Sequence, residues 1–162
     1  MAKFALMKAD ESLPVMIVFD DSNIQLIESL FDESVAEGYT FVKRTLDEWN
    51  SGQNRFSRSG EQLWGLFSEG QLTGIGGLNQ DTYVDDEMTG RVRHLYIRQA
   101  YRRQKQATRL LNKITEEAAK HFKRIRLFTD NPEAAMFYEA FGFRRVDSHK
   151  VTHELTFSHR MQ

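Results

Sequence analysis

A chain of 162 residues with 40% hydrophobic side chains, including 12 Phe, 5 Tyr and 2 Trp, has the size and composition of one globular domain and excludes a disordered or fibrous chain. The lack of Cys excludes a disulfide framework, thiolate metal sites and a cysteine nucleophile; Met1–Glu11, broken by Lys3, Lys8, Asp10 and Glu11, reads neither as a signal peptide nor as a membrane span, so a soluble cytoplasmic protein is expected. The net charge of −1 conceals an asymmetry: residues 1–90 carry 6 basic and 16 acidic side chains and residues 98–126 carry 10 basic and 2 acidic ones, a basic stretch that suits a solvated face, a nucleic acid or a phosphorylated cofactor.

In chain order, the apolar run Val15–Phe19 predicts a buried strand closed by Asp20, Asp21 and Ser22. Ile24, Ile27, Leu30, Phe31 and Val35 recur at helical spacing, with Asp21 or Ser22 as cap and Gly38 as stop. A second helix is expected from about Phe41 to Trp49, followed by a polar loop over Gly52–Gly60. Gln62–Ser68 and Leu72–Leu78 flank Glu69, Gly70 and Gln71, which predicts a hairpin. The acidic residues 81–87 form the next turn, and Arg91–Ile97 reads as a strand.

Ala107, Leu110, Leu111, Ile114 and Ala118 share one face of an amphipathic helix. Arg124–Thr129 is a strand, and Asn131-Pro132 opens a helix with Asn as cap and Pro at its first position, ended by Gly142. Phe143–Val146 and Lys150–Phe157 close the chain as strands. The alternation of strands and helices in this half implies partly parallel pairing. No repeat, linker or low-complexity tract interrupts residues 1–162, so a single α/β (α+β) domain is expected.

The join from strand to helix carries the chemistry: Leu95-Tyr96-Ile97-Arg98-Gln99-Ala100-Tyr101-Arg102-Arg103-Gln104-Lys105-Gln106-Ala107-Thr108. A helix starting here presents unpaired backbone N–H groups and the positive end of its dipole, and Arg102, Arg103 and Lys105 add full charges, so a diphosphate suits it. The segment resembles the acyl-CoA motif of the GNAT superfamily, R/Q-x-x-G-x-G/A after a Tyr-containing strand end: Arg102, Ala107 and the spacing match, whereas Lys105 stands where the family has glycine. A second segment, Leu127 to Phe143, is similar to the family's C-terminal signature through Asn131, Ala134, Tyr138, Gly142 and Phe143.

The resemblance covers about residues 62–157. It implies a mixed sheet of six to seven strands flanked by about four helices, and transfer of an acetyl group from acetyl-CoA to a primary amine of a small molecule or peptide by direct attack. Leu95, Tyr96 and Ile97 would pair with the pantetheine amides, and the diphosphate would lie on Arg102, Arg103, Gln104, Lys105, Gln106, Ala107 and Thr108. Asn131 is implied as a further cofactor contact, although capping alone explains it. Tyr138 is implied as general acid for the departing thiolate, a role that a phenol can fill.

A general base is not evident. The alternate positions Arg91 and Arg93 stay protonated at neutral pH, which leaves His94 and Glu87 as candidates. Two features point to different acceptors: the arginines to a carboxylate or phosphate, and Asp32, Glu33 and Glu37 to a polyamine or other cation. The missing glycine and base also fit a non-catalytic acyl-CoA-binding module. A nucleic-acid role has no stacking platform behind it. His149, His153 and His159 are spaced for no metal site and are expected on strand and tail surfaces, and the closing strands leave both a homodimer and a monomer open.

Overall fold

A computed structural model describes residues 13–158; Met1–Glu11 and His159, to which expectations were attached, lie outside them. The described elements run β1 (Val15–Val18), a 3-10 helix (Ile24–Leu30), α1 (Phe31–Ala36), α2 (Phe41–Ser51), β2 (Gln62–Ser68), β3 (Gln71–Gln80) and β4 (Thr89–Ile97). A 3-10 turn (Gln99–Tyr101), α3 (Gln106–His121), β5 (Arg124–Leu127), α4 (Pro132–Phe141), β6 (Arg144–Ser148) and β7 (Val151–Thr156) follow. The strands form one sheet in the order β1-β2-β3-β4-β5-β7-β6. β4 and β5 are parallel, whereas β1/β2, β5/β7 and β6/β7 are antiparallel. This is the expected α/β architecture with a mixed sheet and four α-helices.

The β2–β3 hairpin turns on Glu69 and Gly70, both left-handed at φ 54° and 81°, as a two-residue type I′ turn requires. Gly52 ends α2 at φ 83° for the same steric reason. Asn131 caps α4, its side-chain oxygen accepting from the N–H groups of Glu133 (2.8 Å) and Ala134 (3.1 Å), with Pro132 at the first helical position.

Three expectations are corrected. β1 is half-exposed, with Val15 at 60% and Met16 and Ile17 intermediate; among the described residues it is the terminal strand of the sheet, paired with β2 alone. The expected helix from Ile24 is a 3-10 helix followed by a six-residue α-helix, and neither Asp21 nor Ser22 caps it. Ser22 is bound to Asp20 and Asp21 accepts from the Trp49 indole N–H (2.7 Å), while Val35 is exposed. His153, expected at the surface, is fully buried on β7, where its Nε2 meets Glu139 of α4 at 2.8 Å.

Two compact units are traced within the chain. The first comprises the described part of Met1–Arg55 with Leu63–Gly76 and His94–Leu110. Its core holds Ile24, Ile27, Leu30, Val42, Leu46, Trp64, Leu66 and Ile75. The second comprises Phe56–Gln62, Gly77–Arg93 and the described part of Leu111–Gln162, with Leu78, Ile114, Phe122, Ile125, Leu127 and Tyr138 buried. In this unit the Phe122 ring rests on two glycines: a Cβ would come within 2.9 Å of it at Gly60 and 2.8 Å at Gly90.

Candidate functional site

β4 pairs with β5 only across Thr89–Arg91, and the strand continues to Ile97. His94 breaks its regularity by taking φ 62°, the left-handed conformation that marks a bulge in an otherwise extended strand. Beyond it, the N–H of Arg98 donates to the Thr73 carbonyl (2.8 Å). Alternation then directs the backbone groups of Tyr96 toward β3 and those of Leu95 and Ile97 toward the opposite edge. Leu95–Ile97 therefore offers a strand edge to an extended ligand. Gly74 lets β3 pack close beneath it, since a Cβ there would lie 2.5 Å from Ile97 Cδ1 and 3.0 Å from the Tyr96 carbonyl.

The loop that follows is fastened by charged side chains. Arg98 donates to the carbonyls of Leu72 (2.7 Å) and Ser29 (2.8 Å) and lies 3.6 Å from Glu33. Glu33 accepts the Gln99 N–H, and Glu37 accepts the Tyr96 hydroxyl at 2.6 Å. Arg102 forms two 2.7 Å hydrogen bonds to Glu37, a third to the Ile97 carbonyl (2.8 Å), and lies over the Tyr96 ring at 5.5 Å. The Arg102 guanidinium holds the Glu37 carboxyl below the usual carboxylate range, and burial with the Glu37 contact raises the Tyr96 phenol. Glu33 and Glu37 thus serve as partners of Arg98 and Arg102 inside the unit, while Asp32, the third carboxylate of the acidic surface, is exposed. Sequence reasoning missed this role, although two carboxylates at i, i+4 on one helix face opposite a basic loop were a usable signal.

Arg103 and Lys105 are both left-handed, at φ 62° and 66°, with Gln104 between them at negative φ. Alternating handedness of this kind curls successive backbone N–H groups into an anion-binding concavity. α3 begins immediately afterwards, so the first-turn N–H groups of Gln106, Ala107 and Thr108, which have no acceptor within the helix, continue it. Arg103, Gln104 and Lys105 are exposed. Gln106 is buried, and its side chain serves the scaffold by accepting from the Thr73 hydroxyl (2.7 Å) and donating to Ser68 Oγ (3.0 Å).

In the second unit Tyr138 is buried on α4, with the rings of Phe137 and Phe143 at 5.4 Å and His153 at 6.4 Å. Burial raises its phenol well above the ordinary value, so it stays protonated at neutral pH. Of the base candidates, His94 is buried and stacked on Phe41 at 6.0 Å, while Glu87 is exposed in the β3–β4 loop. Arg91 is buried in contact with Asp81.

A model of the acetyltransferase (GNAT) domain family matches residues 28–162. The chain belongs to the GNAT acetyltransferase family. Among solved structures, this GNAT chain is similar to a candidate acetyltransferase from Exiguobacterium sp. 255-15, at 27% identity and TM-score 0.77 over 89% of this chain and 93% of that one. A GNAT-family acetyltransferase from Staphylococcus aureus Mu50 shares 18% identity at TM-score 0.70, covering 89% of this chain and 99% of its own. The PaiA N-acetyltransferase of Thermoplasma acidophilum, solved in complex with coenzyme A, shares 18% identity at TM-score 0.65 over 90% and 99%. No curated protein matches the chain. As a GNAT acetyltransferase domain it has the architecture of acyl transfer from acyl-CoA, and among the described residues no helix is long and apolar enough to cross a membrane.

Proposed function

We propose that this single-domain, cytoplasmic GNAT protein transfers an acetyl group from acetyl-CoA to a primary amine of a small molecule or peptide by direct attack. The observation that carries the reading is the pair of left-handed residues Arg103 and Lys105 directly before the N-terminus of α3. A nest of N–H groups, a helix dipole and exposed basic side chains together suit a diphosphate. The left-handed φ of Lys105 also explains the family's glycine: the backbone shape is kept although the residue is not, at a conformational cost of about 1–2 kcal/mol.

Acetyl-CoA, when bound, supplies an activated thioester. Leu95–Ile97 orients the extended pantetheine by strand-like pairing, and a backbone N–H of this strand polarises the carbonyl. The raised pKa of Tyr138 keeps its proton in place for the departing thiolate, so no nucleophilic side chain is needed. A non-catalytic acyl-CoA-binding module is the second reading, favoured because Arg91 and Arg93 occupy the strand positions where a base would be looked for.

Calorimetric titration with acetyl-CoA and with adenosine 3′,5′-bisphosphate tests the proposal. Saturable binding near one site per chain, with turnover on an amine panel, supports it. Binding without turnover on any amine favours the second reading, and no binding up to millimolar cofactor would sink both.

A further inference from the structure

Arg91 and Arg126 stand opposite each other on the parallel strands β4 and β5, so their side chains share a face of the sheet. Both are largely buried, at 8% and 7% exposure, and they share one carboxylate, that of the fully buried Asp81. Asp81 is well used: its Oδ2 accepts from Arg126 Nε at 2.9 Å and its Oδ1 accepts the Tyr83 N–H at 2.8 Å. Arg91 is less well served. Its Nη2 donates to the Lys150 carbonyl at 2.6 Å, whereas Nη1 lies 3.5 Å from Asp81 and makes no hydrogen bond.

Glu154 of β7 stands opposite Arg126 on the same face and is paired with Arg144 at 3.3 Å, so Arg91, Arg126 and Arg144 face Asp81 and Glu154, a surplus of one positive charge whose buried share is costly unless an anion completes it. Arg93, on the same face two residues along β4 and partly exposed, adds to the surplus. Burial lowers the pKa of Arg91, Asp81 and Tyr83 oppose that shift, and Arg93 and Arg126 add smaller contributions in the direction of burial. Tyr83, which is exposed, lies under the Arg91 guanidinium at 4.7 Å and meets His149 edge-on at 5.9 Å, giving the cluster an aromatic rim at the surface. The guanidinium fork matches the geometry of carboxylate and phosphate oxygens.

We propose that Arg91, Arg93 and Arg126 bind a carboxylate or phosphate group of the acceptor, so that the substrate is an amine bearing an oxyanion. This rests on the acetyltransferase reading, which supplies the amine acceptor. Glu33 and Glu37, which suggested a cationic acceptor, are already committed to Arg98, Arg102 and Tyr96.

Two measurements test it. Acetylation is compared within matched pairs, 4-aminobutyrate against butylamine and 2-aminoethyl phosphate against ethanolamine, in the wild type and Arg93→Gln. Independently of acetyl-CoA, thermal unfolding is followed against glutarate and against inorganic phosphate at constant ionic strength, in the wild type, Arg93→Gln and Arg91→Lys. We expect the anionic member of a pair to win by about tenfold or more in kcat/KM, mostly through KM, with the ratio falling in Arg93→Gln. We also expect a saturable melting shift that weakens in both variants, and the arm that responds more strongly identifies carboxylate or phosphate. Equal turnover within the pairs, or no saturable shift with either anion, overturns the proposal. Should the chain fail to bind acetyl-CoA, the acetyltransferase reading falls and the melting experiment still decides whether the arginines form an anion site.

Discussion

Glu37 of the segment after α1 and Arg102 of the loop before α3 are joined by two hydrogen bonds of 2.7 Å, and the Tyr96 hydroxyl adds a third contact to the same carboxylate at 2.6 Å. This cluster fixes the loop that presents Arg103 and Lys105. It also commits Nε, Nη1 and Nη2 of Arg102 to one hydrogen bond each with Ile97 and Glu37.

Glu37→Gln is expected to lower stability by about 1–3 kcal/mol, since it weakens charge-assisted bonds to two partly buried donors. The folded-state pKa of Glu37 is depressed, so its contribution is present above the ordinary carboxylate pKa and is lost as pH falls through the folded value. Urea unfolding between pH 7 and pH 3 should therefore show a shallower acid decline in the variant than in the wild type. Parallel declines would remove this pair from the acid response.

Lys105→Gly restores the residue that suits φ 66°. Relief of about 1–2 kcal/mol of left-handed strain is offset by about 0.5–1 kcal/mol of added unfolded-state freedom, which leaves a net gain of about 0–1.5 kcal/mol. Acetyl-CoA affinity should persist with a weaker dependence on salt, because one exposed charge is gone. A variant that binds no cofactor would show that the lysine charge, not the loop shape, carries the diphosphate.

Tyr138→Phe keeps the ring that packs against Phe137, Phe143 and His153, so the melting temperature and acetyl-CoA affinity should change little. A fall in kcat of about 100-fold or more is expected if the phenol donates the proton. Because burial raises its pKa, the wild-type rate should show no loss from Tyr138 ionisation up to about pH 10. Unchanged kcat would reduce Tyr138 to a core residue.

Gln106→Ala removes the buried amide that bridges Thr73 and Ser68; Ser68 Oγ loses this donor, while the Thr73 hydroxyl keeps the Leu66 carbonyl at 3.2 Å. A loss of about 1–3 kcal/mol is expected in chemical denaturation. Gln106→Glu should recover the Thr73 contact but not the one to Ser68, which accepts from the Gln106 amide NH₂. Its stability is expected to remain below that of the wild type.

What the sequence determined by itself is local. The Glu69-Gly70 turn, the Asn131-Pro132 start of α4, the apolar face of α3 and the basic strand-to-helix join all depend on neighbouring residues, because backbone handedness, capping and side-chain period are set within a few positions. Tertiary structure decided the rest. Val15–Val18 looked buried and is an edge strand, because burial depends on how many neighbours a strand acquires. Glu33 and Glu37 looked like a surface for a cation and are internal partners of Arg98 and Arg102, because a carboxylate's role depends on which charge the fold brings to it. His153 looked superficial and is buried under α4. The share of Asp81 between Arg91 and Arg126 arises only when the parallel register of β4 and β5 sets two arginines side by side, since charges distant in the chain interact only once the fold brings them within a few ångströms in a medium of low dielectric.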